Sequence, residues 1–134
     1  MTFEARLADC LPPGALLTSD EAKRPYECDA LSAYHAMPRV VVVPETRAEV
    51  AAVVKLCAEY GVPLVTRGAG TGLSGGALPL VDGCLLSLAR FNRILAIDTA
   101  NRTATVEPGV RNLAISEAVA PYGLYYAPDP SSQI

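Results

Sequence analysis

Arg39-Val40-Val41-Val42-Val43 is an unbroken β-branched run after a basic residue, closed by Pro44. A continuous apolar run of this length predicts a strand buried on both faces. Thr46-Arg47-Ala48-Glu49 follows with the spacing of a capping box, in which the Thr hydroxyl and the Glu carboxylate each satisfy a free amide at a helix start. Val50, Val53, Val54 and Cys57 then recur at i, i+3, i+4 and i+7, which predicts a helix with that face buried. Gly61 suits the left-handed residue after the last turn. Pro63 to Thr66 predicts the next strand, so the segment reads as a β-α-β unit with parallel strands.

Cys84 to Leu88 predicts a further strand. Ile94 to Asp98 and Thr103 to Glu107 read as an antiparallel hairpin joined by a four-residue loop. Asn112 is placed to cap a second helix, with Ile115, Ala118 and Val119 on its buried face and Gly123 past its end. Upstream, Thr2 to Leu11 forms a short helix closed by Pro12-Pro13-Gly14, and Thr18 to Lys23 another helical turn. Nothing in the first 35 or so residues looks catalytic. The pattern predicts an α+β chain with a helical lead-in over 1–37 and the organised part over 38–134. Pro128 to Ser132 is an elaborate turn sequence followed by only two residues, which is expected of a fragment.

Composition narrows the function classes. The chain has 134 residues, 51% of them apolar and 19% charged, with a mean hydropathy of +0.26. That fits one domain with a core and excludes a charge-rich disordered tail. Eleven basic residues against fourteen acidic give a net charge of −3, which provides no electrostatic footprint for nucleic acid or anionic lipid. No run reaches the roughly 18 apolar residues of a membrane span. Glu4 and Asp9 sit where a secretory signal has a basic start and an apolar core, so a cytoplasmic protein is expected. Cysteines 10, 28, 57 and 84, with the single His35, match no zinc motif; they read as reduced thiols, and no metal is expected. Cys57 and Cys84 read as core residues, His35 as a surface or turn histidine, and Glu107 as structural.

The chemistry concentrates in Arg67 to Gly76, RGAGTGLSGG, with five glycines in ten residues. Successive amides in such a loop can point into one concavity and bind an anion such as phosphate. Thr71 and Ser74 add hydroxyl donors, and Arg67 is the only cation in the loop. Gly70 to Gly75 formally matches G-x-G-x-x-G, but the Rossmann context fails. Pro79 and Gly83 break any helix after it, and Asp98, about 20 residues on, ends a hairpin strand. No Gly-Lys-Ser/Thr occurs, which excludes a P-loop. This leaves a phosphate-binding loop between two strands, with a flexible loop lacking a ligand as the competing reading.

The order of these motifs closely resembles the N-terminal FAD-binding domain (PCMH type) of the vanillyl-alcohol oxidase, or FAD-linked oxidase, family. It runs from the Val-rich strand through Pro44-Glu-Thr, the capped helix, Gly61-Val-Pro-Leu-Val-Thr66 and the glycine loop to Val106-Glu-Pro-Gly-Val110 and Pro128-Asp-Pro-Ser-Ser132. The nearest branch is the glycolate oxidase D-subunit and D-lactate dehydrogenase group. The resemblance covers roughly residues 20 to 134. It implies a first subdomain with short parallel strands and flanking helices, and the start of a second, mixed or antiparallel subdomain, with FAD between them. By motif match Arg67, Gly68, Ala69, Gly70, Thr71, Gly72, Ser74 and Gly75 line the diphosphate, with Pro44 close to the adenosine end. Gly109, Pro128, Asp129, Ser131 and Ser132 fall nearer the ribityl chain and flavin ring, although turn chemistry alone also accounts for the Pro-Asp-Pro-Ser-Ser segment. Tyr125-Tyr126 reads as core or edge packing, with packing near the flavin as the alternative.

The family continues into further strands and a substrate-cap domain, so the catalytic residues are expected beyond residue 134. The implied activity is that of a flavin-dependent 2-hydroxy-acid dehydrogenase or oxidase, with partner subunits or a separate electron acceptor. A non-catalytic nucleotide-binding module and a related oxidase with another substrate are the rivals. Some relatives link FAD to a histidine in the glycine loop; Thr71 occupies that position here, so non-covalent FAD is expected. The 134 residues alone are expected to bind FAD weakly and to self-associate through uncovered apolar surface.

Overall fold

The computed structural model describes residues 1–128 and 130–132; Asp129, Gln133 and Ile134 lie outside them. Two compact units are present, Met1–Arg90 and Phe91–Ile134.

In the first unit, α1 (Phe3–Cys10) starts at Thr2, whose hydroxyl accepts from the Ala5 amide at 3.3 Å. A two-residue strand, β1 (Leu16–Leu17), precedes α2 (Asp20–Lys23), which Ser19 caps in the same way. The Lys23 ammonium is buried. It donates to the Pro38 carbonyl at 3.1 Å and pairs with Asp20, fastening the lead-in to the start of β2 (Val40–Val42). The expected capping box opens α3 (Arg47–Tyr60): Thr46 Oγ1 accepts from Glu49 N at 3.2 Å, and Glu49 Oε2 accepts from Thr46 N at 3.3 Å. Gly61 ends it at φ +64°.

β3 (Leu64–Arg67) and β4 (Cys84–Ser87) complete a four-stranded sheet in the order β1-β2-β4-β3. β2 and β3 both run parallel to β4, and β1 runs antiparallel to β2. The two strands of the β-α-β unit are therefore parallel but not neighbours, because β4 lies between them. A run of buried residues does not reveal which strand is central. Nor does a two-residue strand such as β1 leave a periodicity to read.

The register Val41↔Leu85↔Val65 puts three apolar side chains in one row across the sheet. This face packs Val41, Val43 and Leu85 against Leu17, Tyr26 and Val65. The other face packs Val40, Val42, Cys84 and Leu86 against Phe3 and Leu7 of α1 and Val53, Leu56 and Cys57 of α3. The buried stripe of α3 differs from the expected one. Val54 is 43% exposed and Leu56 is buried, because α1 packs on the flank of α3 that carries Leu56 as well as on the face of Val53 and Cys57.

In the second unit, β5 (Ile94–Asp98) and β6 (Thr103–Val106) form the expected antiparallel hairpin, with a register irregularity between Ile94 and Ala96. Asp98 accepts from the Asn101 amide at 3.0 Å and from its side chain at 2.7 Å, and Arg102 takes φ +53° to close the turn. α4 (Asn112–Val119) buries Ile115 and Val119, and Ala118 is half-buried. Its cap position holds Arg111, without a side-chain bond, and Asn112 is already helical. The expected Asn112 cap is thus displaced by one residue. Gly123, at φ +68°, ends the helical turn that follows α4.

Glu107 holds the open end of the hairpin. Its carboxylate accepts from the Arg93 amide at 2.9 Å and from the Arg93 guanidinium at 2.7 Å and 3.1 Å. These bonds hold the Glu107 carboxyl below the usual carboxylate range. A native value below the unfolded one gives stability that is full above about pH 4.3 and is lost as pH falls through the native value. Glu107→Gln should therefore lower the urea midpoint most at pH 7, with the gap to wild type narrowing in acid. Equal midpoints at pH 7 would show that the pair contributes nothing.

Candidate functional site

The three parallel strands end along one edge of the sheet, since Val42, Leu86 and Thr66 share a register row. Ligands of open parallel sheets bind beyond this carboxyl edge. Three segments leave the sheet there: Pro44 after β2, the glycine loop after β3, and Leu88-Ala89-Arg90 after β4. Pro44 is fully buried. Beyond it, Glu45 pairs with Arg90 and joins the exits of β2 and β4.

The loop has a fixed base and an unengaged crown. At the base, Leu88 N donates to Arg67 O at 2.9 Å; at the opposite, amino edge of the sheet, where the returning arm enters β4, Cys84 N donates to Pro63 O at 2.8 Å. On the returning arm Leu78 N donates to Gly75 O at 3.2 Å, Gly83 N donates to Leu80 O at 2.9 Å, and Pro79 is buried. No helix follows the loop, as Pro79 and Gly83 led one to expect. Among the described residues, no backbone N–H from Gly68 to Gly76 finds an acceptor in the protein. Thr71, Gly72 and Ser74 are exposed, and a Cβ built on Gly68, Gly72 or Gly76 meets nothing within 4 Å. Gly70 and Gly75 both take φ +74°, a conformation that L side chains rarely adopt. A run of free amides in open space, with two hydroxyls beside it, fits the diphosphate of FAD: each bond to a charged oxygen contributes about 1.5–3 kcal/mol.

Arg67 is half-buried and points back under the loop. Nη1 donates to the Cys28 carbonyl at 2.6 Å, and the guanidinium lies 5.6 Å from the centre of the Tyr26 ring. Leu31 lies 3.8 Å from where a Gly75 Cβ would stand. The lead-in, which offered no signal in the sequence, therefore supplies a floor to the loop through Tyr26, Cys28 and Leu31. In the same segment Asp29 is buried; Oδ1 accepts from Leu31 N at 2.9 Å, and Oδ2 has no partner among the described residues.

The structure brings Arg67, Gly68, Ala69, Gly70, Thr71, Gly72, Ser74 and Gly75 together in one loop, on the same sheet edge as Pro44. Gly109, Pro128, Ser131 and Ser132 belong to the second unit, and Asp129 lies outside the described residues. The Gly109 amide donates to the Phe91 carbonyl at 2.7 Å, which places Gly109 in the turn after β6. Pro128 and Ser131 are exposed and Ser132 is half-buried. Tyr125 and Tyr126, both exposed, line a cavity of about 420 Å³ between the hairpin and α4, together with Ile97, Ile115 and Val119.

His35 is exposed and bonds the Ser32 carbonyl at 2.8 Å, as a turn histidine does. Cys57 and Cys84 are buried free thiols in contact; that contact, together with burial, pushes Cys84 up, while the same contact lowers Cys57 against the effect of burial. Neither adjoins the glycine loop in sequence.

The FAD binding domain family matches residues 38–134. The glycolate oxidase subunit GlcD of Escherichia coli (strain K12) is 59% identical over 128 residues, covering 96% of this chain and 26% of that protein. The D-lactate dehydrogenase of Anaerostipes hadrus is 36% identical, covering 92% of this chain and 26% of that one. Among solved structures, p-cresol methylhydroxylase with substrate bound superposes with a TM-score of 0.79 at 25% identity, over 91% of this chain and 24% of that one. Alkyldihydroxyacetonephosphate synthase shares the fold, with a TM-score of 0.84 at 21% identity, over 98% of this chain and 26% of that one. The chain spans about a quarter of the length of these proteins. With the family matching well over half of its residues, and with a loop of free amides where a diphosphate fits, the chain belongs to the FAD binding domain family.

Proposed function

We propose that this chain is the FAD-binding part of a flavin-dependent dehydrogenase or oxidase acting on a small 2-hydroxy acid of the glycolate or D-lactate type. The observation that carries the reading is the unengaged amide crown from Gly68 to Gly76, on a sequence 59% identical to a glycolate oxidase subunit. Bound FAD supplies the acceptor for a hydride from the alcohol carbon of the substrate, leaving a 2-oxo acid. This chain's own part is to bind and orient. Amides from Gly68 to Gly76, with the Thr71 and Ser74 hydroxyls, donate to the diphosphate. Buried Pro44 closes the adenosine side. Gly109 and the segment from Pro128 to Ser132 serve the ribityl and flavin end. The groups that handle the substrate belong to sequence outside these residues. The relative's designation as a subunit supports partner subunits here too, and the composition supports a cytoplasmic location.

FAD is held without a covalent bond, because Thr71 stands where a flavin-linking histidine would be. Acid precipitation of the full-length flavoprotein should leave the flavin in the supernatant, and a yellow pellet would contradict this. The function itself is tested by anaerobic addition of glycolate or D-lactate to that protein. Bleaching of the flavin absorbance is expected. A preparation that binds no FAD would overturn the reading, and one that binds FAD but is reduced by neither acid would overturn the substrate class.

A further inference from the structure

We infer that the lead-in is a working part of the cofactor site, and that Arg67 acts on the diphosphate as a pinned charge beneath the loop rather than as a direct ligand. The inference rests on reading the loop as the diphosphate site. Three observations carry it. First, the Arg67 guanidinium lies directly behind Gly70: a Cβ there would fall 2.2 Å from Cζ and Nη2. The charge therefore lies against the backbone of the loop at Gly70. Second, the partners that fix it are neutral, the Cys28 carbonyl at 2.6 Å and the Tyr26 ring. Among the described residues no carboxylate forms an ion pair with Arg67, so its charge is not cancelled at contact distance. Third, Tyr26 is itself held in the apolar cluster of Val41, Val43 and Leu85 under the sheet. Tyr26 and Cys28 precede residue 38, where the family match begins.

A planar guanidinium suits this position, since it can stack on a ring and donate in its own plane together. The arrangement gives one job to each layer. The loop amides make the hydrogen bonds, and the fixed charge behind them raises the potential where the diphosphate sits. The charge needs no reorganisation when the anion arrives. A lysine at this position would keep the charge but neither the stack nor the planar donor.

The test uses the full-length protein and FAD as titrant, at low and high salt, with melting temperatures of the flavin-free forms. Wild-type protein that fails to bind FAD would overturn the proposed function, and the variants would not be needed. Given binding, Arg67→Gln should weaken FAD by about tenfold at low salt, a gap that narrows at high salt. Arg67→Lys should recover part of the loss. Tyr26→Leu, which keeps the charge but unpins it, should weaken binding by a smaller factor. If Arg67→Gln binds as wild type at every salt concentration, the charge plays no part. If Gln and Lys lose equally and salt makes no difference, Arg67 is merely structural. If Tyr26→Leu leaves FAD affinity untouched while Arg67→Gln loses it, Arg67 is a free ligand. Each of those three results overturns the inference.

Discussion

Gly70→Val in the full-length protein should lose FAD binding by at least about a hundredfold while the chain stays folded. Gly70 sits at φ +74°, where a Cβ clashes with its own backbone, and a β-branched one most of all. The same Cβ would meet Arg67 Cζ at 2.2 Å and Nε at 2.7 Å. Arg67 is a flexible side chain and can retreat, but only by giving up the Cys28 carbonyl and the Tyr26 ring. The variant therefore disturbs both layers of the site together, the amide crown and the charge behind it. Losing two charge-assisted bonds, at about 1.5 kcal/mol each, already gives a hundredfold. The loop lies outside both apolar clusters of the sheet, so the fold should lose only the strain of the left-handed position, about 1–2 kcal/mol. Flavin absorbance per protein, read beside far-ultraviolet circular dichroism, measures the two effects separately. Gly72→Ala is the companion variant, because its Cβ meets nothing within 4 Å. It should leave the flavin-free protein unchanged and weaken FAD only through closer contact with the ligand. Wild-type flavin content in Gly70→Val would mean that the diphosphate lies elsewhere.

The parts of this architecture that were legible in the sequence are those specified locally. The capping box at Thr46 and Glu49, the left-handed Gly61, the hairpin turn after Asp98 and the buried run at Val40 each depend on residues a few positions apart. So does the glycine loop, whose density of glycines and lack of a following helix are visible in ten consecutive letters. What was not legible depends on residues far apart in the chain. The central place of β4 is fixed by pairing with strands that begin 44 and 20 positions earlier, at Val40 and Leu64. The burial of Leu56 in place of Val54 is set by where α1 docks. The floor of the glycine loop is made by Tyr26, Cys28 and Leu31, and a backbone carbonyl that anchors an arginine 39 residues away leaves no mark on composition or period. Tyr26, one of three scattered aromatics in the lead-in, carried no signal by itself.

Leu85→Ala should be the most destabilising single truncation in the sheet, by about 2–5 kcal/mol. Leu85 is fully buried at the middle of the central strand, between Val41 on one side and Val65 on the other. The face it belongs to is the thin one. It buries Val41, Val43 and Leu85, with Leu17, Tyr26 and Val65 the hydrophobic residues packed against them among the described residues, whereas the opposite face is covered by α1 and α3. A cavity on the thin face has few neighbours able to close over it, so the cost should fall in the upper half of that range. The thin face also carries Tyr26, on which the Arg67 guanidinium rests. Loosening this cluster should therefore reach the glycine loop through Tyr26, weakening FAD as well as lowering the urea midpoint. Leu86→Ala, one residue on and facing the helices, removes a buried leucine of the same size from the thicker cluster. It should lower the midpoint and leave the FAD affinity of the folded protein unchanged. The pair separates loss of core from loss of the floor beneath the loop. Equal FAD affinity in both variants, measured where both remain folded, would show that the thin face does not support the site.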